Sequence, residues 1–193
     1  FVVLPGAEPP GCYESDLGAH EYGDYLNIAH FGTLAKDRSL VPILNALGVL
    51  FQKMPQAKER IRIQVYGTDV DSASLEAIHT WHLEGNVISN GRFPRAEVVQ
   101  LMRKADILLA LHGTAEWAVE CIPSKIYEYF WSTRPILGVV DRNEQLYQLL
   151  AERNAYLCQT NNQGSINETL QELWSDWVEK KLRLQKYQPI SPE

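Results

Sequence analysis

The chain has 193 residues, of which 45% are hydrophobic and 22% charged, so it is sized and composed for one globular domain rather than a fibre or a disordered tail. Its net charge of −6 argues against a surface built to attract nucleic acid, and its longest apolar run, Ile107–Leu111, is far too short to span a membrane. The three cysteines (Cys12, Cys121, Cys158) show no CxxC spacing, which fits a reducing compartment better than a disulfide or zinc scaffold.

Residues 1–24 begin at Phe1 and are punctuated by proline and glycine without a period, as expected of a linker following a preceding domain. From there strands and helices alternate. Leu26–Phe31 reads as a strand ending at Gly32. Leu40, Ile43, Leu44, Leu47 and Leu50 repeat at helical spacing, with Ser39 as N-cap and Pro42 in the first turn. Ile61–Tyr66 alternates strictly and ends at Gly67, a second strand. Asp71 or Ser72 caps a helix through His82, and Asn86–Ser89 carries a short third strand. Pro94 opens a helix with Val98, Leu101 and Met102 inward. Asp106–Leu111 is an unbroken apolar strand of the kind covered on both faces. A loop from His112 leads into a helix starting at Pro123. Pro135–Val140 is a fifth strand, Gln145–Arg153 a helix, Ala155–Cys158 a sixth strand and Ile166–Trp177 a last helix. Residues 25–178 thus form the expected domain and 179–193 a polar tail.

Six β-then-α units predict an α/β fold, a doubly wound, parallel, six-stranded Rossmann-like sheet. In strand order 3-2-1-4-5-6, ligands bind where the chain direction reverses, between the first and fourth strands. That singles out two loops, Gly32–Ser39 and His112–Ser124. The first carries Lys36 and Arg38 before a helix, where an anion is favoured. The second ends at Pro123-Ser124-Lys125, where Ser124 can cap the helix. Glu128 shares a helix face with Ser124 and is placed to accept the hydroxyls of a ribose. Glu120 lies in the loop. Tyr127, Phe130 and Trp131 read as core.

These residues resemble the C-terminal, donor-binding domain of GT-B glycosyltransferases, most closely the retaining family 4 type. Gly32-Thr33-Leu34-Ala35-Lys36-Asp37-Arg38 fits the G-x-L-x-x-x-[KR] loop. Glu120 and Glu128 fit the Glu, seven residues, Glu signature, and Pro123-Ser124-Lys125-Ile126-Tyr127-Glu128-Tyr129 looks like the P-S-K-x-x-E-Y subgroup. Asn86-Val87, Gly91, Glu97-Val98 and Ala105-Asp106 add to the likeness, which covers residues 26–175. The resemblance implies that Arg38 contacts the donor diphosphate and stabilises the leaving group, and that Glu120 contacts the donor sugar. Backbone amides around Ile122–Ser124, where Pro123 itself has no N–H to give, would cradle the diphosphate, and Glu128 would hold the ribose. Gly91-Arg92-Phe93 would lie against the base, and Gly67 would let the nucleotide approach. Gly32, Thr33 and His112 complete the implied donor site. Two departures stand out. Thr33 occupies the place where many members carry a second phosphate-binding Arg, with Lys36 or Lys125 as its candidate replacements. Cys121-Ile122-Pro123 replaces Gly-Phe-Gly.

The implied function is donor binding for a retaining hexosyltransferase. It needs no metal or other cofactor, uses a nucleotide-diphosphate sugar, and is completed by an N-terminal acceptor-binding domain. The expected location is the cytoplasm, and the chain alone is expected to transfer nothing. Two other classes remain open: half of a sugar-nucleotide epimerase, and a non-catalytic nucleotide- or protein-binding module. His79 and His82 read as a surface pair, Cys121 as a packing residue. Trp174 and Trp177 serve either sheet packing or docking of another domain. The basic run at 179–186 is either a solvated helix end or a peripheral contact with the inner face of a membrane.

Overall fold

A computed structural model describes residues 21–185. Its strands are β1 (Leu26–Gly32), β2 (Ile61–Gly67), β3 (Val87–Gly91), β4 (Ile107–Leu111), β5 (Ile136–Val140) and β6 (Tyr156–Gln159). They form one all-parallel sheet, as the alternation predicts, in the common doubly wound order β3-β2-β1-β4-β5-β6. The helices are α1 (Val41–Lys53), α2 (Pro55–Arg60), α3 (Ser72–Trp81), α4 (Arg95–Lys104), α5 (Lys125–Ser132), α6 (Glu144–Glu152) and α7 (Gln163–Val178).

The strands read as near-continuous apolar runs because both faces are covered. Successive side chains point to opposite faces. Ile107, Leu109 and Leu111 enter a core with α1, α3 and α7, while Leu108 and Ala110 enter a second with α4, α5 and α6. Each leucine or isoleucine among them, fully withdrawn from water, stabilises the fold by about 1.5–3 kcal/mol. Trp174 and Trp177 are buried in the first core, stacked on each other at 5.4 Å, so packing is the role the fold gives them.

Several local expectations are corrected. α2 is additional, a six-residue charged helix with no apolar repeat to announce it. Ser39 does not cap α1 alone: Leu40 N–H donates to the Ser74 hydroxyl of α3 at 3.0 Å, and Ser39 takes the Val41 N–H. On α4 the buried pair is Val99 and Met102, with Val98 and Leu101 only partly covered. Ser124 holds the N-cap position of α5 with helical φ/ψ and makes no side-chain cap bond. Asp71 does cap α3, accepting the Ser74 N–H.

The linker expected over 1–24 lies outside the described residues up to residue 20, as do 186–193 of the tail and Cys12. The described part of the tail is solvated at Glu179, Lys180, Lys181 and Leu184 but anchored beyond the helix end. Leu182 and Gln185 are buried, Gln185 N–H donates to Thr133 O, and Leu182 N–H donates to the Tyr22 hydroxyl. Two of its cations are locally matched: Lys181 pairs with Asp176 and Glu179, and Arg183 with Glu172. Among the described residues no helix is long and apolar enough to cross a membrane.

Candidate functional site

The site begins with a split in the sheet. β1 and β2 run in register from Leu26↔Ile61 to Gly32↔Gly67, whereas β1 and β4 pair only at Ile28↔Ile107 and Ala29↔Leu108. Beyond Ala29 the two strands part, and the polar backbone groups of the opening need other partners. Side chains supply them. The Tyr129 hydroxyl accepts from Phe31 N–H at 3.2 Å and donates to Leu109 O at 3.3 Å. His30 Nδ1 donates to the same Leu109 O at 3.1 Å, and Lys125 Nζ donates to Phe31 O at 3.2 Å. Asp106, by contrast, ties the far end of the split, where its carboxylate takes the Asn27 N–H at 2.7 Å.

Two adjoining cavities open at this crevice, with Gly32 lining both. The first, about 260 Å³, is lined by Gly32, Arg38, His112, Gly113, Trp117, Ala118, Cys121, Pro123, Ser124 and Lys125. The second, about 250 Å³, is lined by Phe31, Gly32, Thr33, Tyr66, Gly67, Thr68, Arg92, Phe93 and Val98.

The first cavity is cationic. Arg38 and Lys125 both border it, and the buried Nε of Arg38 makes no hydrogen bond. Burial, and then the charge of Arg38, push the Lys125 amine down to about 7. His30 is held well below its ordinary value by burial and by the charge of Lys125, so it is neutral, and its Nε2 is unpartnered. The first turn of α5 adds its dipole, with the Ser124 and Lys125 amides preceding the first intrahelical bonds, Ile126 N–H to Pro123 O and Tyr127 N–H to Ser124 O. Two cations on one cavity, neither in an ion pair among the described residues although the Asp37 carboxylate lies near Gly113 on its edge, are an arrangement an anion stabilises.

The second cavity is aromatic. Phe31 and Tyr66 stack at 4.7 Å between centroids, and Phe93 meets Tyr66 edge-on at 5.8 Å. Arg92 Nε donates to Gly67 O at 3.2 Å. Gly67 has φ +130°, and a Cβ there would lie 2.6 Å from Gly32 O. Backbone packing between the two strand ends therefore already requires this glycine.

The residues expected in the site fall into two groups. Gly32, Arg38, His112, Pro123, Ser124 and Lys125 meet at the first cavity; Gly32, Thr33, Gly67, Arg92 and Phe93 meet at the second. Lys36, Ile122, Glu120 and Glu128 line neither. Lys36 and Glu120 are exposed, Ile122 packs on the second core, and Glu128 accepts from Arg95 at 3.3 Å. His112 has its ring nitrogens engaged with backbone: Nε2 donates to Ala118 O at 2.8 Å, and Nδ1 accepts the Asp141 N–H. Trp117, Tyr66, Tyr129 and His30 were not legible as site residues, since the split that gathers them is a property of the sheet. His79 pairs with Glu84 at the surface, and Cys121 is exposed at the first cavity.

No protein-family model matches the chain, and no curated protein matches it in sequence. Solved structures do share its fold. WaaG, a glycosyltransferase involved in lipopolysaccharide biosynthesis, superposes with a TM-score of 0.64 at 17% identity, over 82% of this chain and 42% of that one. The C-terminal domain of the glycosyl transferase group 1 family protein LpcC from Francisella tularensis gives 0.61 at 19% identity, over 83% and 80%. The pneumococcal O-GlcNAc transferase GtfA, solved with UDP and GlcNAc, gives 0.59 at 16%, over 83% and 30%. Against WaaG and GtfA the chain spans well under half of the neighbour's length. The fold is that of the Rossmann-like C-terminal domain of GT-B glycosyltransferases.

Proposed function

We propose that this chain is the donor-binding domain of a retaining glycosyltransferase, binding a nucleotide-diphosphate sugar at the β1/β4 crevice. The observation that carries the reading is the convergence of Arg38, Lys125 and the first turn of α5 on one cavity beside a second, aromatic one. The diphosphate would occupy the cationic cavity and the base the aromatic one. The neighbour solved with UDP and GlcNAc supports that ligand class.

The chemistry follows from charge. As the bond from the anomeric carbon to the β-phosphate oxygen breaks, the electron pair leaves with the diphosphate and the sugar gains oxocarbenium character. The acceptor oxygen forms the new bond and gives up its proton. Preorganised donors at the growing negative charge lower this barrier, by about 2.7–4 kcal/mol for a well-placed group. Arg38, a protonated Lys125 and the α5 amides fill that role, carrying charge that a divalent metal carries in other transferases. The hexosyl acceptor would be held by a separate N-terminal domain, so the chain alone binds donor and transfers nothing.

Titration of the 193-residue chain with uridine and guanosine diphosphates tests the reading. Saturable binding that is lost in Arg38→Ala supports it. Absence of binding at millimolar ligand, with the fold intact, overturns it. In the whole protein, an isomerised donor in place of free nucleotide and a new glycoside would point to an epimerase.

A further inference from the structure

Trp117 stands out among the described residues. Its side chain is 64% exposed, more than any other large apolar side chain among them, yet it borders the cationic cavity with Arg38 and Lys125. The exposure is not slack in the backbone. Trp117 sits on a 3₁₀ turn, Glu116–Glu120, that is fastened from below at several points. His112 Nε2 donates to Ala118 O at 2.8 Å, and Asn143 Nδ2 donates to Ala118 O at 3.4 Å and to Cys121 O at 3.2 Å. Arg142 bonds Thr114 O at 3.2 Å and pairs with Glu116 at 3.5 Å. Ala118 beside it is 2% exposed and anchors the turn in the protein. The turn is therefore held with the indole outward, at the cost of leaving a large apolar ring in water.

We propose that Trp117 is a stacking platform for the pyranose of the donor, resting on the reading of the cavity as a nucleotide-sugar site. The lining of one cavity carries two chemistries. Arg38 and Lys125 supply full charges for the diphosphate; Trp117 supplies a neutral π-face. The group attached to a diphosphate and carrying no charge of its own is the sugar. A pyranose presents C–H bonds on one face and hydroxyls at its edge, so it covers an indole face without burying a hydroxyl unpaired. A free acceptor sugar has the same C–H face but lacks the diphosphate that would bring it to this cavity, so the platform is assigned to the donor. It selects for a ring with a flat apolar face while leaving the nucleotide end untouched.

The test compares UDP with UDP-glucose, UDP-galactose and UDP-N-acetylglucosamine, and GDP with GDP-mannose. Each is titrated into the 193-residue chain and its Trp117→Ala and Trp117→Phe variants. The expected result is that at least one nucleotide-sugar binds about three- to tenfold tighter than its parent diphosphate, the range of an aromatic contact. Trp117→Ala removes that increment and leaves diphosphate affinity unchanged; Trp117→Phe keeps most of it. Tryptophan emission shifts with the sugar-bearing ligand and not with methyl α-glucoside alone. Equal affinity for sugar-bearing and parent nucleotides, an increment that survives in Trp117→Ala, or saturation by methyl α-glucoside overturns the platform while leaving the donor site standing. No binding of any diphosphate overturns both. An exposed side chain makes Trp117→Ala a variant that folds, and thermal denaturation confirms it.

Discussion

The Lys125 amine donates to the Phe31 carbonyl at 3.2 Å, tying the first turn of α5 to the end of β1 across the split. The same amine is pushed down to about 7 by burial and by Arg38. A bound diphosphate reverses that balance by favouring the ammonium form, so binding takes up a proton above pH 7. Diphosphate affinity should fall as pH rises from 7 to 9, a window in which the phosphate, with its last pKa of about 6, is already fully ionised. Lys125→Met should bind more weakly and lose this dependence. Calorimetry in buffers of differing ionisation enthalpy reads the proton directly. The stability of the unliganded protein should follow the opposite trend, rising between about pH 7 and pH 10.4. The unfolded chain keeps the Lys125 proton to about pH 10.4, so from pH 7 upward this group makes the folded state more stable.

Arg38 is the second cation of the cavity and its buried Nε has no hydrogen-bond partner. A charge-assisted bond to phosphate is worth about 1.5–3 kcal/mol. Arg38→Ala should weaken UDP binding by about ten- to a hundredfold, and Arg38→Lys should recover part of it. In the whole protein the same variant should lower kcat more than it raises KM, since the bond strengthens as the leaving group gains charge. An unchanged kcat/KM would remove Arg38 from the mechanism.

Gly67→Ala tests how the two cavities are joined. The new Cβ would meet Gly32 O at 2.6 Å with φ held at +130°. Gly91, also at positive φ (+72°), has nothing within 4 Å of an added Cβ and is the control. Gly67→Ala should cost more than Gly91→Ala, whose penalty is the backbone strain of about 1–3 kcal/mol alone. Urea denaturation measures the difference. Only Gly67→Ala should also weaken binding of inorganic pyrophosphate, which has no base to meet Gly91, because the shift is transmitted to Gly32 at the meeting of both cavities.

Tyr129→Phe should destabilise the domain by about 1–3 kcal/mol by leaving the Phe31 N–H without its acceptor. Leu109 O keeps the His30 bond, so the loss falls on β1. This residue marks the boundary of what could be read in advance. The parallel sheet was legible in the alternation of strands and helices and in runs such as Ile107–Leu111, as expected of strands covered on both faces, and its order came from the usual arrangement of doubly wound sheets. Arg38, Ser124 and Lys125 were legible because they lie on loops that this order brings together. Tyr129 entered the reading only as part of a motif and His30 only as part of a strand, because their polar ends serve a divergence between β1 and β4 that no local pattern encodes. The Ser74 cap on α1 was hidden for the same reason, since donor and acceptor are 34 residues apart.

Glu128 gives the most selective test. Its carboxylate lies outside both cavity linings and accepts from Arg95, a pair whose guanidinium side is largely exposed. An exposed pair of this kind is worth only about 0–1 kcal/mol, so it does not prevent the carboxylate from turning to a ligand. If Glu128 holds the ribose diol, Glu128→Gln should weaken UDP about tenfold, the loss of one charged acceptor, and leave inorganic pyrophosphate unaffected. Arg95→Ala should leave UDP binding unchanged or slightly tighter. Equal weakening of UDP and pyrophosphate by Glu128→Gln would mean that the residue acts through α5 and its dipole rather than on the ribose.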